Sequence, residues 1–157
     1  MARSVLRRWV LPAVIVGAAL AGPVAAAQAS NNDIRATLDA YAPKIVNDET
    51  AVGKGLSEYP KGKPKPLERA LKQEVSTLHA LKAALRHETA SSTKGRKAKK
   101  EIVTGLGLIA GAYTSLRADI LAVHGGAVPV AQVDAAVAQD KKGRTKLKAG
   151  LRLIKTA

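Results

Sequence analysis

Cysteine and phenylalanine are both missing from this 157-residue chain, and tryptophan occurs once. Without cysteine there is no disulfide framework, no thiolate metal ligand and no thiol for lipoprotein acylation, so stability has to come from packing. The single tryptophan is Trp9, and the rest of the aromatic content is three tyrosines. Stacking platforms for single-stranded nucleic acid rest on exposed aromatic rings. Carbohydrate clefts use the same flat surfaces, so both classes lose ground. Acidic residues are missing from the N-terminal stretch, where the first is Asp33. No segment alternates apolar and polar residues in the manner of a strand.

The acid-free N-terminus reads as an export signal. Arg3, Arg7 and Arg8 make a basic start, an apolar stretch follows from Trp9 to about Leu20, and small residues come next. Ala27-Gln28-Ala29 is the best cleavage site, which makes residues 1–29 a signal peptide and Ser30 the first mature residue; Ala25-Ala26-Ala27 is the alternative. If the bond is not cut, Trp9 to Ala29 approaches the ~20 residues of a membrane anchor, although Gly22-Pro23 weakens such a helix. Arg7-Arg8-Trp9-Val10-Leu11 also fits a twin-arginine signal, apart from Leu6 where a polar residue is expected. The expected location is extracytoplasmic or secreted, with association to the cell wall.

Removing residues 1–29 leaves 128 residues, enough for one core. These carry all 12 acids and 23 of the 26 basic residues, a net charge of +11. That balance favours polyanions as partners without naming one.

Three breaks divide the mature chain, at Pro60 to Pro66, Thr89 to Thr93 and His124-Gly125-Gly126. Between them run four apolar tracks of helical period. Ile34, Leu38, Tyr41, Ile45, Val52, Leu56 and Tyr59 form the first, with a polar gap at Asp48 and Glu49. The second is Leu67, Leu71, Val75, Leu78, Leu81 and Leu85; the third is Ile102, Leu106, Ile109, Tyr113, Leu116, Ile120 and Val123. The fourth runs Val130, Val133, Val137, then Leu147, Leu151 and Ile154, with Asp140 and Arg144 in its gap. Steps of three and four are the signature of helices packed at a shallow angle. The expectation is an all-α, antiparallel up-down four-helix bundle over residues 30–157, with helices at about 33–59, 66–88, 93–123 and 129–156. Pro66 and Pro129 suit first turns, Ser91 or Ser92 caps the third helix, and Gly125 ends it. Pro43 should kink or restart the first helix.

Gly105, Gly107 and Gly111 each cost about 1 kcal/mol against alanine inside a helix. Gly107 and Gly111 form a G-x-x-x-G pair, which packs against a neighbouring helix or serves as a homodimer face.

The bundle topology gathers charge at one end. Lys94, Arg96, Lys97, Lys99 and Lys100 open the third helix; Arg144, Lys146, Lys148, Arg152 and Lys155 line the end of the fourth. At a helix C-terminus basic residues complement the dipole by about 0.3–1 kcal/mol and need no ligand. At a helix N-terminus the same charge opposes the dipole, and that cost points to an external anion. These ten residues are the candidate anion site. Its expected partner is an anionic envelope polymer, a lipid head group or an acidic protein, with nucleic acid behind these.

Catalysis needs convergent groups. The histidines are His79, His87 and His124, and no pair has the i, i+4 spacing of a helical metal site. Glu-x-x-His is missing too, since Ser76 and Ala84 precede His79 and His87 by three. The expectation is a protein with no catalytic residues, metal site or cofactor. Asp140 and Arg144, four apart on an apolar track, read as a partly buried ion pair that fixes register.

Overall fold

The computed structural model describes residues 29–124 and 126–157. The expected export signal lies outside them except for Ala29, and so does the expected helix stop at Gly125. Four helices account for almost all of the described residues: α1 (Ala29–Glu58), α2 (Pro64–His87), α3 (Thr93–Ala122) and α4 (Val130–Lys155). A short 3-10 turn, Tyr59–Lys61, joins the first two, and there is no strand among the described residues.

Local chemistry sets the ends. Pro64 occupies the first turn of α2, where the missing N–H costs nothing, so α2 starts two residues before the expected Pro66. Ser92 caps α3, its Oγ accepting the Gly95 N–H at 2.9 Å. Replacing Ser92 with alanine is expected to cost about 1 kcal/mol in urea denaturation, the ordinary value of such a cap. Beyond α3, His124 takes a left-handed conformation (φ 45°), so a non-glycine residue makes part of this turn.

The expected restart at Pro43 does not occur. The α1 helix runs through it with Pro43 exposed, while Ile34, Leu38, Ile45, Val52 and Leu56 on either side are buried. Continuous burial on one face outweighs one lost backbone bond. The fourth track also shifts: Val130 is 52% exposed, whereas Val133 and Ala136 are buried.

Contacts between helix ends fix the arrangement. At one end Asn31 Nδ2 donates to Ser92 Oγ (3.4 Å), Thr37 Oγ1 to Glu88 Oε1 (2.8 Å) and Arg35 Nη2 to the Ile154 carbonyl (2.6 Å). This brings together the start of α1, the end of α2, the start of α3 and the end of α4. At the other end the Tyr59 hydroxyl donates to the Gly126 carbonyl at 2.7 Å. Backbones pack closely between α1 and α2, α2 and α3, and above all α3 and α4. The α1–α4 seam is joined through long side chains, Arg35 onto Ile154 and Arg144 onto Glu49.

Glycines explain the tight α3–α4 pair. A β-carbon on Gly105 would stand 2.6 Å from the Leu147 nitrogen and 2.7 Å from the Gly143 carbonyl oxygen. One on Gly150 would stand 2.8 Å from the Ala98 carbonyl oxygen. The helix propensity given up at these positions is recovered in backbone approach, with Ile102, Leu106 and Ile109 packed around it. The expected G-x-x-x-G pair lies to the side of this contact: Gly107 faces the Lys82 ammonium and Gly111 the Gln139 amide, both within the chain.

Candidate functional site: a basic end and a polar middle layer

The ten candidate cations fall into three sets. Lys94, Lys99, Lys146 and Arg96 are engaged locally. Lys94 Nζ donates to the Thr156 carbonyl at 3.0 Å, just past the end of α4. Lys99 Nζ donates to the carbonyls of Arg86 (2.9 Å) and Glu88 (2.5 Å), at the end of α2. Lys146 pairs with Glu101 at 3.0 Å, and Arg96 Nη2 donates to Thr93 Oγ1 at 2.9 Å. Charges at the start of α3 therefore satisfy carbonyls at the ends of its two neighbours. The cost of opposing the α3 dipole is offset by the C-terminal poles of α2 and α4. An external anion is not required to explain Lys94 and Lys99.

The second set is Lys97, Lys100, Lys148, Arg152 and Lys155. All five are exposed, and none makes a hydrogen bond or ion pair among the described residues. They occupy the first two turns of α3 and the last turns of α4, helices in direct contact at this end. Cations gathered without counter-charges raise the local potential and attract anions from solution.

Arg144 stands apart from both sets, in the middle of the bundle. Its Nε donates to Asp140 Oδ2 (2.8 Å), Nη1 to Glu49 Oε1 (2.9 Å) and Nη2 to the Tyr113 hydroxyl (3.0 Å). The expected Asp140–Arg144 pair is therefore present and is part of something larger. Asp48 joins the same layer and accepts from Thr77 Oγ1 at 2.5 Å. Glu74, only 1% exposed, completes it from α2. Every helix contributes, and the gaps in the first and fourth apolar tracks are two sides of one polar layer.

Four carboxyl groups share this layer with one guanidinium, and the two glutamates are perturbed. Burial pushes Glu74 up to about 8, with Glu49 and Asp48 adding to the shift. Burial also raises Glu49, against the opposing pull of Arg144. Burial raises Tyr113 as well. Burial works against the charge on Arg144, but Tyr113, Asp140 and Glu49 more than offset it and hold the guanidinium protonated. Oε2 of Glu49, Oε2 of Glu74 and Oδ1 of Asp140 are buried without a hydrogen-bond partner. The carboxylates do not form a metal centre: among the described residues no group of three or more histidine, cysteine, aspartate or glutamate side chains is arranged to hold a metal ion.

The chain matches no protein-family model, no curated protein and no solved structure. No helix among the described residues is long and apolar enough to cross a membrane.

Glu74 is the residue that the sequence reading missed. Leu67, Leu71, Glu74, Leu78, Leu81 and Leu85 keep strict four-three spacing, and Val75 draws attention from it by being apolar one position away. The structure leaves Val75 partly buried and Glu74 fully so.

Proposed function

We propose that residues 30–157 are the mature part of an exported, non-catalytic protein, an antiparallel up-down four-helix bundle that binds a phosphate-bearing polyanion of the cell envelope through one basic end. The observation that carries this is the group of five exposed cations without partners, Lys97, Lys100, Lys148, Arg152 and Lys155, on adjoining turns of α3 and α4. Their mechanism is charge attraction and counterion release, which needs no shaped pocket and weakens as salt rises. Lys94, Lys99 and Lys146 hold the helix ends that present the patch. Extracytoplasmic location rests on the basic, apolar and small-residue order of residues 1–29.

The test is fractionation of cells producing the full chain, with N-terminal sequencing of the recovered protein. The expected result is a mature protein beginning at or near Ser30 that sediments with envelope material at low salt and is released at high salt. Recovery of uncut protein from the cytoplasm, bound to nucleic acid and not to envelope, would overturn the proposal.

A further inference from the structure

We propose that the polar layer is a proton-operated latch: the Glu74 carboxyl carries a proton in the closed bundle, and loss of that proton loosens the seam between α1 and α4. Glu74 forms no ion pair among the described residues. Arg144 is the positive group of the layer, and its hydrogen bonds go to Asp140, Glu49 and Tyr113 rather than to Glu74. The charged and titratable groups that act on Glu74 are Asp48 and Glu49 from α1, Tyr113 from α3, and Asp140 and Arg144 from α4. Ionising it would add a negative charge to a layer that already holds three other carboxyl groups and one guanidinium, in a place that is 1% exposed.

A protonated Glu74 is a hydrogen-bond donor, and the layer holds unused acceptors in Glu49 Oε2 and Asp140 Oδ1. One proton thus removes a charge and adds a donor to a layer with unpaired acceptors. The seam is where release is felt. At this level α1 and α4 are tied by Arg144 to Glu49 (2.9 Å), without the close backbone packing of the other neighbouring pairs. Repulsion from an ionised Glu74 acts directly on the Glu49 half of that tie.

The direction with pH follows. The Glu74 carboxyl has an ordinary value of 4.5 and is raised to about 8 in the fold. Between those values the folded chain keeps a proton that the unfolded chain has lost. Stability therefore falls as pH rises through this window and levels off above it. The folding equilibrium constant changes about tenfold per pH unit for one such proton.

The experiment compares the full chain with Glu74→Gln, which keeps the shape and a donor but cannot ionise. In urea unfolding, the wild type should weaken by about tenfold in its folding constant per pH unit relative to the variant between about pH 5 and pH 8, and level off by about pH 9. Parallel profiles overturn the latch. A second readout does not depend on the variant folding. In carboxyl-labelled wild type, one glutamate carbon should titrate near pH 8 in the folded state, and amide protection in the middle turns of α1 and α4 should drop across the same range. All glutamates titrating below about pH 5.5, near ordinary values, or unchanged protection at the seam, overturns it.

Discussion

Arg144→Ala is expected to lower stability by about 3–5 kcal/mol at neutral pH, as much as emptying a core position. The reason is what it leaves behind. Glu49 and Asp140 have side chains only 7% and 16% exposed, and both lose their only cation. An uncompensated buried carboxylate costs far more than the net value of the pair that it belonged to. Tyr113 loses its guanidinium donor at the same time. Arg144→Lys should recover part of the loss, because an ammonium supplies the charge but not the three-way fork. Adding Glu49→Gln to Arg144→Ala should recover part of it by another route, removing a stranded charge. Urea titration with a double-mutant cycle measures both. A loss under about 1 kcal/mol, the value of an exposed ion pair, would mean that water reaches the layer and that it is not interior.

Gly105→Ala is the second large effect, expected to cost about 2–3 kcal/mol despite alanine's better helix propensity. The new methyl would meet backbone atoms of Leu147 and Gly143, and backbone cannot rotate aside as a side chain can. Separating α3 from α4 to admit it loosens Ile102, Leu106 and Ile109, all within a few per cent of full burial. Gly53→Ala is the control of opposite sign. Nothing lies within 4 Å of a β-carbon there, so the substitution should stabilise by up to about 1 kcal/mol. Equal behaviour at the two positions in thermal or urea unfolding would remove the steric explanation.

Much of the fold is legible in the sequence because helix periodicity is a local signal. Four tracks, three breaks and a serine cap at position 91 or 92 can be read without knowing what packs on what. Pro43 does not restart the helix, for a physical reason. A proline weakens a helix by a fixed amount, but whether the helix survives depends on burial along the neighbouring turns, which becomes known only once α2 is in place. The glycines show the same limit. The G-x-x-x-G spacing of Gly107 and Gly111 is a pattern within one helix, whereas the close contact uses Gly105 with Gly143 and Gly150, on two helices whose register the sequence does not state.

The candidate site divides along similar lines. Basic residues crowd the start of α3 and the end of α4 in the sequence itself. Which of them are already spent on neighbouring carbonyls, as Lys94 and Lys99 are, depends on helix ends meeting in space. Charge in sequence therefore overstates the charge available to a partner. The polar layer was half visible, as gaps at Asp48, Glu49, Asp140 and Arg144. Its fourth side was hidden because a glutamate beside a valine on a leucine-rich helix looks like the solvent face.

The most direct measurement is the affinity for polyphosphate as a function of salt, taken for the full chain and two sets of glutamine replacements. One set removes Lys97, Lys100, Lys148, Arg152 and Lys155; the other removes Lys94, Lys99 and Lys146. The first should abolish most of the binding and flatten the dependence of log affinity on log salt, by roughly 0.7–0.9 per cation removed if polyphosphate behaves as nucleic acid does, while leaving the unfolding midpoint nearly unchanged. The second should lower the midpoint and leave the salt slope largely intact. If the two sets weaken binding equally, or the first leaves it untouched, the basic end is not the binding surface.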